Sequence, residues 1–119
     1  MDRKNWTLLA ISFADGADVS PVQLQKCLFL VGRKHKEEVG EDFYEFIAYS
    51  YGPFSEAIYQ DAAILASEGL VFIERPFGGF AKYTITAQGA QRARQLRMEG
   101  PSPAIEYLRK LIGLPLYRL

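Results

Sequence analysis

The feature that most constrains this fold is a pair of short apolar runs on either side of a turn-rich loop. Val71–Glu74 and Lys82–Ile85 are rich in β-branched and aromatic residues, and the segment between them contains Pro76 and the pair Gly78-Gly79. Two such runs separated by turn residues predict a β-hairpin. A chain of 119 residues, 49% of them hydrophobic, has enough apolar side chains for one core. The sequence therefore predicts a single domain that includes a hairpin.

Three helices are predicted ahead of this hairpin. Apolar residues recur at helical spacing over residues 6–13, 21–38 and 55–68. Ser20-Pro21-Val22-Gln23 forms a capping box, with a serine cap, a proline at the first helical position and a glutamine at the third. Gly52-Pro53, with Ser55 after it, predicts the start of the third helix, and the aromatic segment from Phe43 to Tyr51 before it reads as a short strand or extended segment. Helix, helix, helix, hairpin is the order of a winged-helix domain.

Two more helices are predicted after the hairpin, over residues 86–98 and 102–112, followed by an apolar tail. The fold class is thus mainly α with a β-hairpin, a single winged-helix-like domain over residues 1–119. An apolar stripe on the last helix continues into the tail, so we expect residues 102–119 to support a homodimer or to pack on their own domain. The residues predicted to share one core are Trp6, Leu24, Leu28, Ile58, Leu65, Val71, Ile73 and Ile85.

Charge is unevenly distributed along a chain whose net charge is zero. Nine carboxylates and no Lys or Arg lie between Glu37 and Glu74, the stretch that contains the predicted third helix. Duplex DNA is held largely through Lys and Arg on phosphates, so this stretch argues against DNA and for a protein partner. We expect the partner to contact the outer side of this helix and the end of the segment before it. The predicted contact residues are Tyr51, Glu56, Tyr59, Gln60 and Ala63.

The alternative is a winged-helix transcriptional regulator that binds DNA as a dimer. Its phosphate contacts would come from the hairpin loop and from the helix after it. Three arginines within six residues of that helix form either a solvated face or a surface that meets an acidic molecule. The residues predicted for this alternative are Arg75, Lys82, Arg92, Arg94 and Arg97.

Catalysis has little support in the sequence. His35 lies between Lys34 and Lys36, where a solvated surface histidine is expected. Cys27 shares a helix face with leucines, which indicates a buried thiol rather than a nucleophile. Three nearby carboxylates, Glu41, Asp42 and Glu45, lack the loop spacing of a cation site. We therefore expect no enzyme activity, no catalytic residue, no cofactor and no metal.

The remaining composition favours a cytoplasmic protein without a membrane partner. The chain has one cysteine, which forms no internal disulfide. The first apolar run is too short, and too soon followed by Asp15 and Asp18, to be a signal peptide. No segment is long and apolar enough to predict a membrane span.

Three segments resemble the Panacea antitoxin domain, the SocA-like group of small prokaryotic proteins. They are residues 21–30 (PVQLQKCLFL), residues 49–54 (YSYGPF) and the pair Ile58-Tyr59. The resemblance implies a non-enzymatic protein that neutralises a toxin by direct complex formation, often encoded beside it in bacterial and phage genomes. The family usually has a tryptophan two residues before its Gly-Pro pair. This chain has Tyr49 and Tyr51 there, so a sibling group of uncharacterised prokaryotic winged-helix proteins remains open.

Overall fold

The computed structural model describes residues 1–50 and 52–119, which form one mainly α-helical globule with two small antiparallel hairpins. The helices are α1 (Arg3–Ser12), α2 (Pro21–Lys34), α3 (Lys36–Val39), α4 (Glu56–Ser67), α5 (Ala87–Glu99) and α6 (Ser102–Ile112). The strands are β1 (Ile47–Tyr49), β2 (Gly52–Phe54), β3 (Val71–Glu74) and β4 (Lys82–Ile85). A short 3₁₀ turn, Leu116–Arg118, lies at the C-terminus. The described residues thus contain one helix and one hairpin more than the sequence predicted.

Helix α2 begins where the capping box predicted and ends earlier than expected. Ser20 Oγ accepts a hydrogen bond from the backbone amide of Gln23 at 3.1 Å, which satisfies one free amide of the first turn. The predicted continuation to residue 38 is wrong, because His35 leaves the helical conformation at φ −119° and ψ 45°. The short α3 after this break buries Val39 in the core and brings the Glu38 carboxylate to the Ala104 amide of α6, at 3.2 Å.

The hairpin β1–β2 occupies the place where the sequence predicted a helix start. Gly52 has φ +113°, a conformation that no α-helix contains and that glycine adopts without strain. Pro53 pairs with Ala48 in the antiparallel register, so it belongs to a strand and not to a first helical turn. The third predicted helix, α4, starts at Glu56. Ser55 precedes it, but its side chain makes no capping hydrogen bond, contrary to the prediction.

The hairpin β3–β4 confirms the sequence prediction. Val71 lies opposite Ile85 and Glu74 opposite Lys82, and the turn-rich loop joins the two strands. Val19, between α1 and α2, exchanges two backbone hydrogen bonds with Tyr83, at 2.8 and 3.0 Å. Both Val71 and Tyr83 are buried. The base of this hairpin is therefore attached to the core by side chains and by a third backbone segment.

Helix α1 is the centre of the core and is buried almost all round. It packs against α2, α4, α5, α6 and β4. Six of the eight predicted core residues are buried, namely Trp6, Leu24, Leu28, Ile58, Leu65 and Val71. Ile73 and Ile85 are only partly buried and pack against the core from its edge.

Helix α6 closes the core on the side of α1 and α2. Its predicted apolar stripe is buried inside its own chain and comprises Ile105, Leu108, Leu111 and Ile112. Beyond it, Leu116 and Tyr117 are exposed. Packing on its own domain therefore accounts for the stripe, and a homodimer through the tail stays a prediction. None of the helices in the described residues combines the length and the apolarity that crossing a bilayer requires.

Candidate functional site

A groove of about 190 Å³ lies where both hairpins meet the start of α2. We call it the aromatic groove, because four aromatic side chains contribute to a lining that is mostly apolar. Helix α2, the hairpin β1–β2, helix α4 and the loop of the hairpin β3–β4 each supply part of its wall. The lining residues are Pro21, Val22, Gln25, Tyr49, Gly52, Pro53, Phe54, Tyr59 and Phe80.

Three of the aromatic rings form a continuous row along one wall. The ring centroids of Tyr49 and Phe54 are 5.3 Å apart, and those of Phe54 and Tyr59 are 5.6 Å apart in an edge-to-face arrangement. These are favourable distances for aromatic pairs. Tyr49 is 59% exposed and Phe80, from the other hairpin, is 74% exposed. The folded protein therefore already exposes large aromatic surfaces that a ligand can contact.

A buried glutamine fixes the hairpin β1–β2 to helix α2. Gln25 Nε2 donates to the carbonyl of Ser55 at 2.9 Å, and the Ser55 amide donates to Gln25 Oε1 at 2.8 Å. Both residues are buried, so this pair of bonds satisfies backbone groups that water does not reach. Because Ser55 joins β2 to α4, the two bonds hold Phe54 and Tyr59 in position on the same wall.

The structure places the predicted partner-binding residues in two neighbouring positions. Tyr59 is half-buried and lines the aromatic groove. Glu56, Gln60 and Ala63 are exposed along the outer side of α4 and do not line it. Tyr51 lies outside the described residues. The exposed outer side of α4 carries no Lys or Arg.

Three of the four aromatic residues of the groove were not among the predicted partner-binding residues, namely Tyr49, Phe54 and Phe80. Phe80 had a sequence signal, since an aromatic side chain in a glycine-rich loop has little chance of being buried. Tyr49 and Phe54 gave no such signal, because only the register of β1–β2 puts them on the same face.

One member of the acidic stretch is buried and cannot meet a partner. Asp61 is 5% exposed and receives hydrogen bonds from Arg3 Nε at 3.0 Å and from the Tyr44 hydroxyl at 2.7 Å. The Thr7 hydroxyl lies 2.6 Å from the same tyrosine oxygen. Burial, and then the hydrogen bond to Asp61, raise the pKa of Tyr44 far above its usual value. This network joins α1, α4 and the segment before β1, so its role is structural.

The other carboxylates of the stretch lie at the surface, and two of them have a partner within the chain. Glu68 pairs with Lys4 at 3.0 Å, and Glu38 pairs with His35 at 2.8 Å. The exposed carboxylates that make no ion pair with another described residue are Glu37, Glu41, Asp42, Glu45, Glu56 and Glu74. Of these, Glu45 and Glu56 flank the β1–β2 hairpin in sequence, and no ion pair within the described residues neutralises them.

The five residues predicted for DNA binding do not form one surface. Lys82 lies opposite Glu74 in the hairpin and 3.8 Å from the Asp18 carboxylate. Burial raises the pKa of Tyr83, and the positive charge of Arg75, next to Glu74 in sequence, partly opposes that rise.

The arginines of α5 divide between two clefts. Arg92 lies in a cleft that also contains Asp2 and Asn5, whereas Arg94 and Arg97 line the cleft between α5 and α6. Residues two positions apart on an α-helix, such as Arg92 and Arg94, are about 160° apart around the axis, which accounts for this division. The sequence could show three arginines within one short segment, but not that one of them faces away from the others.

The residues considered for chemistry have ordinary structural roles. Burial raises the pKa of the Cys27 thiol to about 12, so this thiol stays protonated and unreactive near neutral pH. His35 is not the solvated histidine that was expected, since it is half-buried, bonded to Glu38 and 5.4 Å from the ring of Tyr107. Among the described residues, no three His, Cys, Asp or Glu side chains are grouped as metal ligands.

No protein-family model matches this chain, and no curated protein matches it either. The resemblance to the Panacea antitoxin domain therefore depends on its motif segments alone. Those segments converge in the structure: residues 21–30, residues 49–54 and Tyr59 supply every lining residue of the aromatic groove except Phe80.

Proposed function

We propose that this protein is a non-enzymatic protein-binding module of the antitoxin type, which neutralises a toxin partner by holding it at the aromatic groove. One observation carries the proposal. Three separate segments, recognisable in the sequence as one motif, come together as the walls of a single apolar groove. A shared role in packing alone would bury these side chains, yet Tyr49 is more than half exposed and Phe54 and Tyr59 are half-buried.

The surroundings of the groove indicate the chemistry of the partner. Tyrosine and other large aromatic residues are enriched among the side chains that dominate binding energy at protein interfaces. Exposed carboxylates such as Glu45 and Glu56 flank the segments that form the groove. A partner that inserts an apolar side chain and surrounds it with Lys and Arg satisfies both features, because opposite charges at the rim favour correct encounter.

We propose that the finer fold is winged-helix-like. Helices α1, α2 and α4 followed by β3–β4 support this assignment, and so does the bridge between Val19 and Tyr83, which adds a third strand position to the hairpin. The hairpin β1–β2 is then an insertion before the third helix. A cytoplasmic location remains our proposal on the composition of the chain.

A DNA-binding regulator has weaker support from the same structure. The helix that would enter a major groove, α4, exposes Glu56, Gln60 and Ala63 and no cation. The five basic residues assigned to this alternative lie in separate places and one of them is near an aspartate. Binding of this kind depends on several cations that meet phosphates together.

The proposal is tested with the purified protein encoded beside this gene, by calorimetry and by rescue of growth when both are expressed together. We expect direct binding, and Tyr59→Ala to weaken it by about 2 kcal/mol, which is roughly thirtyfold. Tyr117→Ala is the matched control, since Tyr117 is 87% exposed and lies outside the groove. Equal affinities for the two variants, or no binding by the parent protein, would refute the proposal.

The hairpin loop provides a second matched pair. Phe80 and Phe77 lie in the same loop and are both largely exposed, but only Phe80 lines the groove. We expect Phe80→Ala to weaken binding and Phe77→Ala to leave it unchanged. Binding to random duplex DNA is measured in parallel at low and physiological salt. Tight DNA binding that falls steeply with salt, and is lost when Arg92, Arg94 and Arg97 become alanine, would favour the regulator instead.

A further inference from the structure

A polar cleft of about 420 Å³ lies where the start of α1 meets the end of α5. Asp2 and Asn5 line it from the α1 side, and Arg92 and Glu99 line it from the α5 side. We call it the α1–α5 cleft. It shares no lining residue with the aromatic groove, so it is a separate candidate site.

Asn5 presents a side-chain amide without a partner to this cleft. The residue is 9% exposed, and its amide makes no hydrogen bond with another described side chain or backbone group. Among the described residues, Trp6 Nε1 is the one fully enclosed side-chain nitrogen or oxygen that lacks a partner. The Asn5 amide is therefore not enclosed and opens onto the cleft that Asn5 lines. Buried amides are normally hydrogen-bonded, so this amide is available to a ligand.

The α1 side of the cleft and Arg92 together favour an anionic group. The Asp2 side chain makes no capping bond, and the backbone N–H groups of Arg3 and Lys4 donate to no acceptor in the described residues. Free amides at the start of a helix attract negative charge. Arg92 is half-buried and makes no ion pair with a described residue. A guanidinium, a side-chain amide and free backbone amides are the donors that bind a carboxylate.

The same cleft also favours a cationic group. Asp2 and Glu99 both line it, and neither carboxylate makes an ion pair within the described part of the chain. Helix α5 ends here, and the carbonyls of Met98 and Glu99 accept no hydrogen bond from a described backbone amide. The C-terminal end of a helix attracts positive charge. An ammonium group would thus meet carboxylates and carbonyls in this cleft.

The rest of the lining is mainly apolar. It includes the side chains of Met1, Leu96 and Pro101. Met1 Cε lies 3.4 Å from the position that a Cβ on Gly100 would take, so the segment before α1 contacts the turn between α5 and α6. Apolar walls around a few polar groups are typical of sites for small ligands.

We propose that the α1–α5 cleft binds a small zwitterion, an α-amino acid with an aliphatic side chain. Arg92 and Asn5 hold its carboxylate at the start of α1, and Asp2 and Glu99 hold its ammonium group. The aliphatic side chain lies on the apolar part of the lining. A simple anion would leave both carboxylates of the cleft unpaired, and a simple cation would leave Arg92 unpaired. A molecule that carries both charges pairs all of them.

Calorimetry and NMR titration of the full chain, purified through a C-terminal tag, test this site with three small molecules. L-Leucine carries both charges, isocaproate lacks its ammonium group, and isoamylamine lacks its carboxylate. We expect L-leucine to bind and to shift the side-chain amide signals of Asn5. Each analogue should bind at least about tenfold more weakly, because it loses the charge-assisted hydrogen bonds of one group.

Two variants test the residues assigned to the carboxylate. Asn5→Asp keeps the side-chain size and adds a negative charge that the start of a helix tolerates, but this charge repels the carboxylate of the ligand. Arg92→Ala removes the guanidinium. We expect each variant to bind L-leucine about tenfold more weakly or not at all. Arg94→Ala is the matched control, since Arg94 lies two positions further along α5 and lines the other cleft. It should leave L-leucine binding unchanged.

Circular dichroism establishes that each variant is folded, and Arg92→Ala alone decides the test if Asn5→Asp does not fold. A parent protein that does not bind millimolar L-leucine would overturn the proposal. Equal binding of isocaproate would show an anion site, and equal binding of isoamylamine a cation site, and either result excludes recognition of a zwitterion. A loss at Arg94→Ala as large as that at Arg92→Ala would place the ligand outside this cleft.

Discussion

The two hairpins have the same topology and opposite relations to the core. β3–β4 is held by buried Val71 and Tyr83 and by the backbone of Val19. β1–β2 has no fully buried residue. It is held by two hydrogen bonds between the Gln25 side chain of α2 and the backbone of Ser55, the residue that follows β2. The hairpin β3–β4 extends the core, whereas the hairpin β1–β2 leaves its aromatic side chains available for contact. A short strand pair can therefore serve stability or recognition according to what anchors it.

The tyrosines of the two hairpins give the largest contrast. Tyr83 is 3% exposed and Tyr49 is 59% exposed. We expect Tyr83→Ala to lower the free energy of unfolding by about 3 kcal/mol, because it leaves a cavity at the base of the hairpin. Tyr49→Ala should lower it by about 0.5 kcal/mol or less, as is usual at an exposed position. Urea unfolding of both variants measures the difference, and similar losses would contradict the contrast.

The anchor of β1–β2 should show an intermediate effect. Gln25→Leu keeps the side-chain size but leaves the Ser55 N–H and C=O buried without partners, so we expect a loss of about 2 kcal/mol. Hydrogen exchange of the Ser55 amide should accelerate more than that of β4 amides. Gln23→Leu is the matched control on the same helix, since Gln23 donates one part-buried bond, to the Ile112 carbonyl at 3.2 Å. A larger effect at Gln23 would mean that Gln25 is not the anchor.

Alkaline pH should lower the free energy of unfolding through Tyr83, and this is the smallest of the effects expected here. Burial, and then the nearby Tyr59, raise the pKa of Tyr83 above its ordinary value of 10.0, while Arg75 opposes the shift. The stability that neutral Tyr83 contributes is complete below the pKa that Tyr83 has in the unfolded chain. It is lost as the pH rises through the higher pKa that Tyr83 has in the folded protein. Tyr83→Phe should remove this part of the pH dependence, measured by urea unfolding above pH 10.0. An unchanged alkaline slope in the variant would show that other groups account for it.

Local signals predicted the elements that local chemistry fixes. The capping box at Ser20 placed the start of α2, and the two apolar runs around Gly78-Gly79 placed β3–β4. The end of α2 was missed, and so was the pairing of β1, which lies in the segment predicted as a short strand or extended, with Gly52–Phe54. His35 interrupts the helix where its ring lies 5.4 Å from that of Tyr107, and Gly52-Pro53 belongs to a strand that Gln25 holds through Ser55, two residues further on. Those partners are far away in sequence, so no window of residues reveals them.

The residues of the candidate site also divide into those that the sequence predicted and those that it could not. The sequence indicated Tyr59 and the segments around it, because an acid-rich helix without cations suggested a surface for protein and not for phosphate. It could not indicate that Phe80, from the second hairpin, completes the groove. Nor could it separate Asp61, which is buried with Arg3 and Tyr44, from the carboxylates that remain at the surface.

The sequence by itself determined a mainly α chain with a hairpin, most of its core and the charge of its middle segment, because periodicity, capping and composition are written in neighbouring residues. Tertiary structure alone decided which aromatic side chains share a groove and which arginines stay apart. Each of these is set by the register of β1–β2 and by the packing of distant elements, and burial follows from that packing and not from residue type.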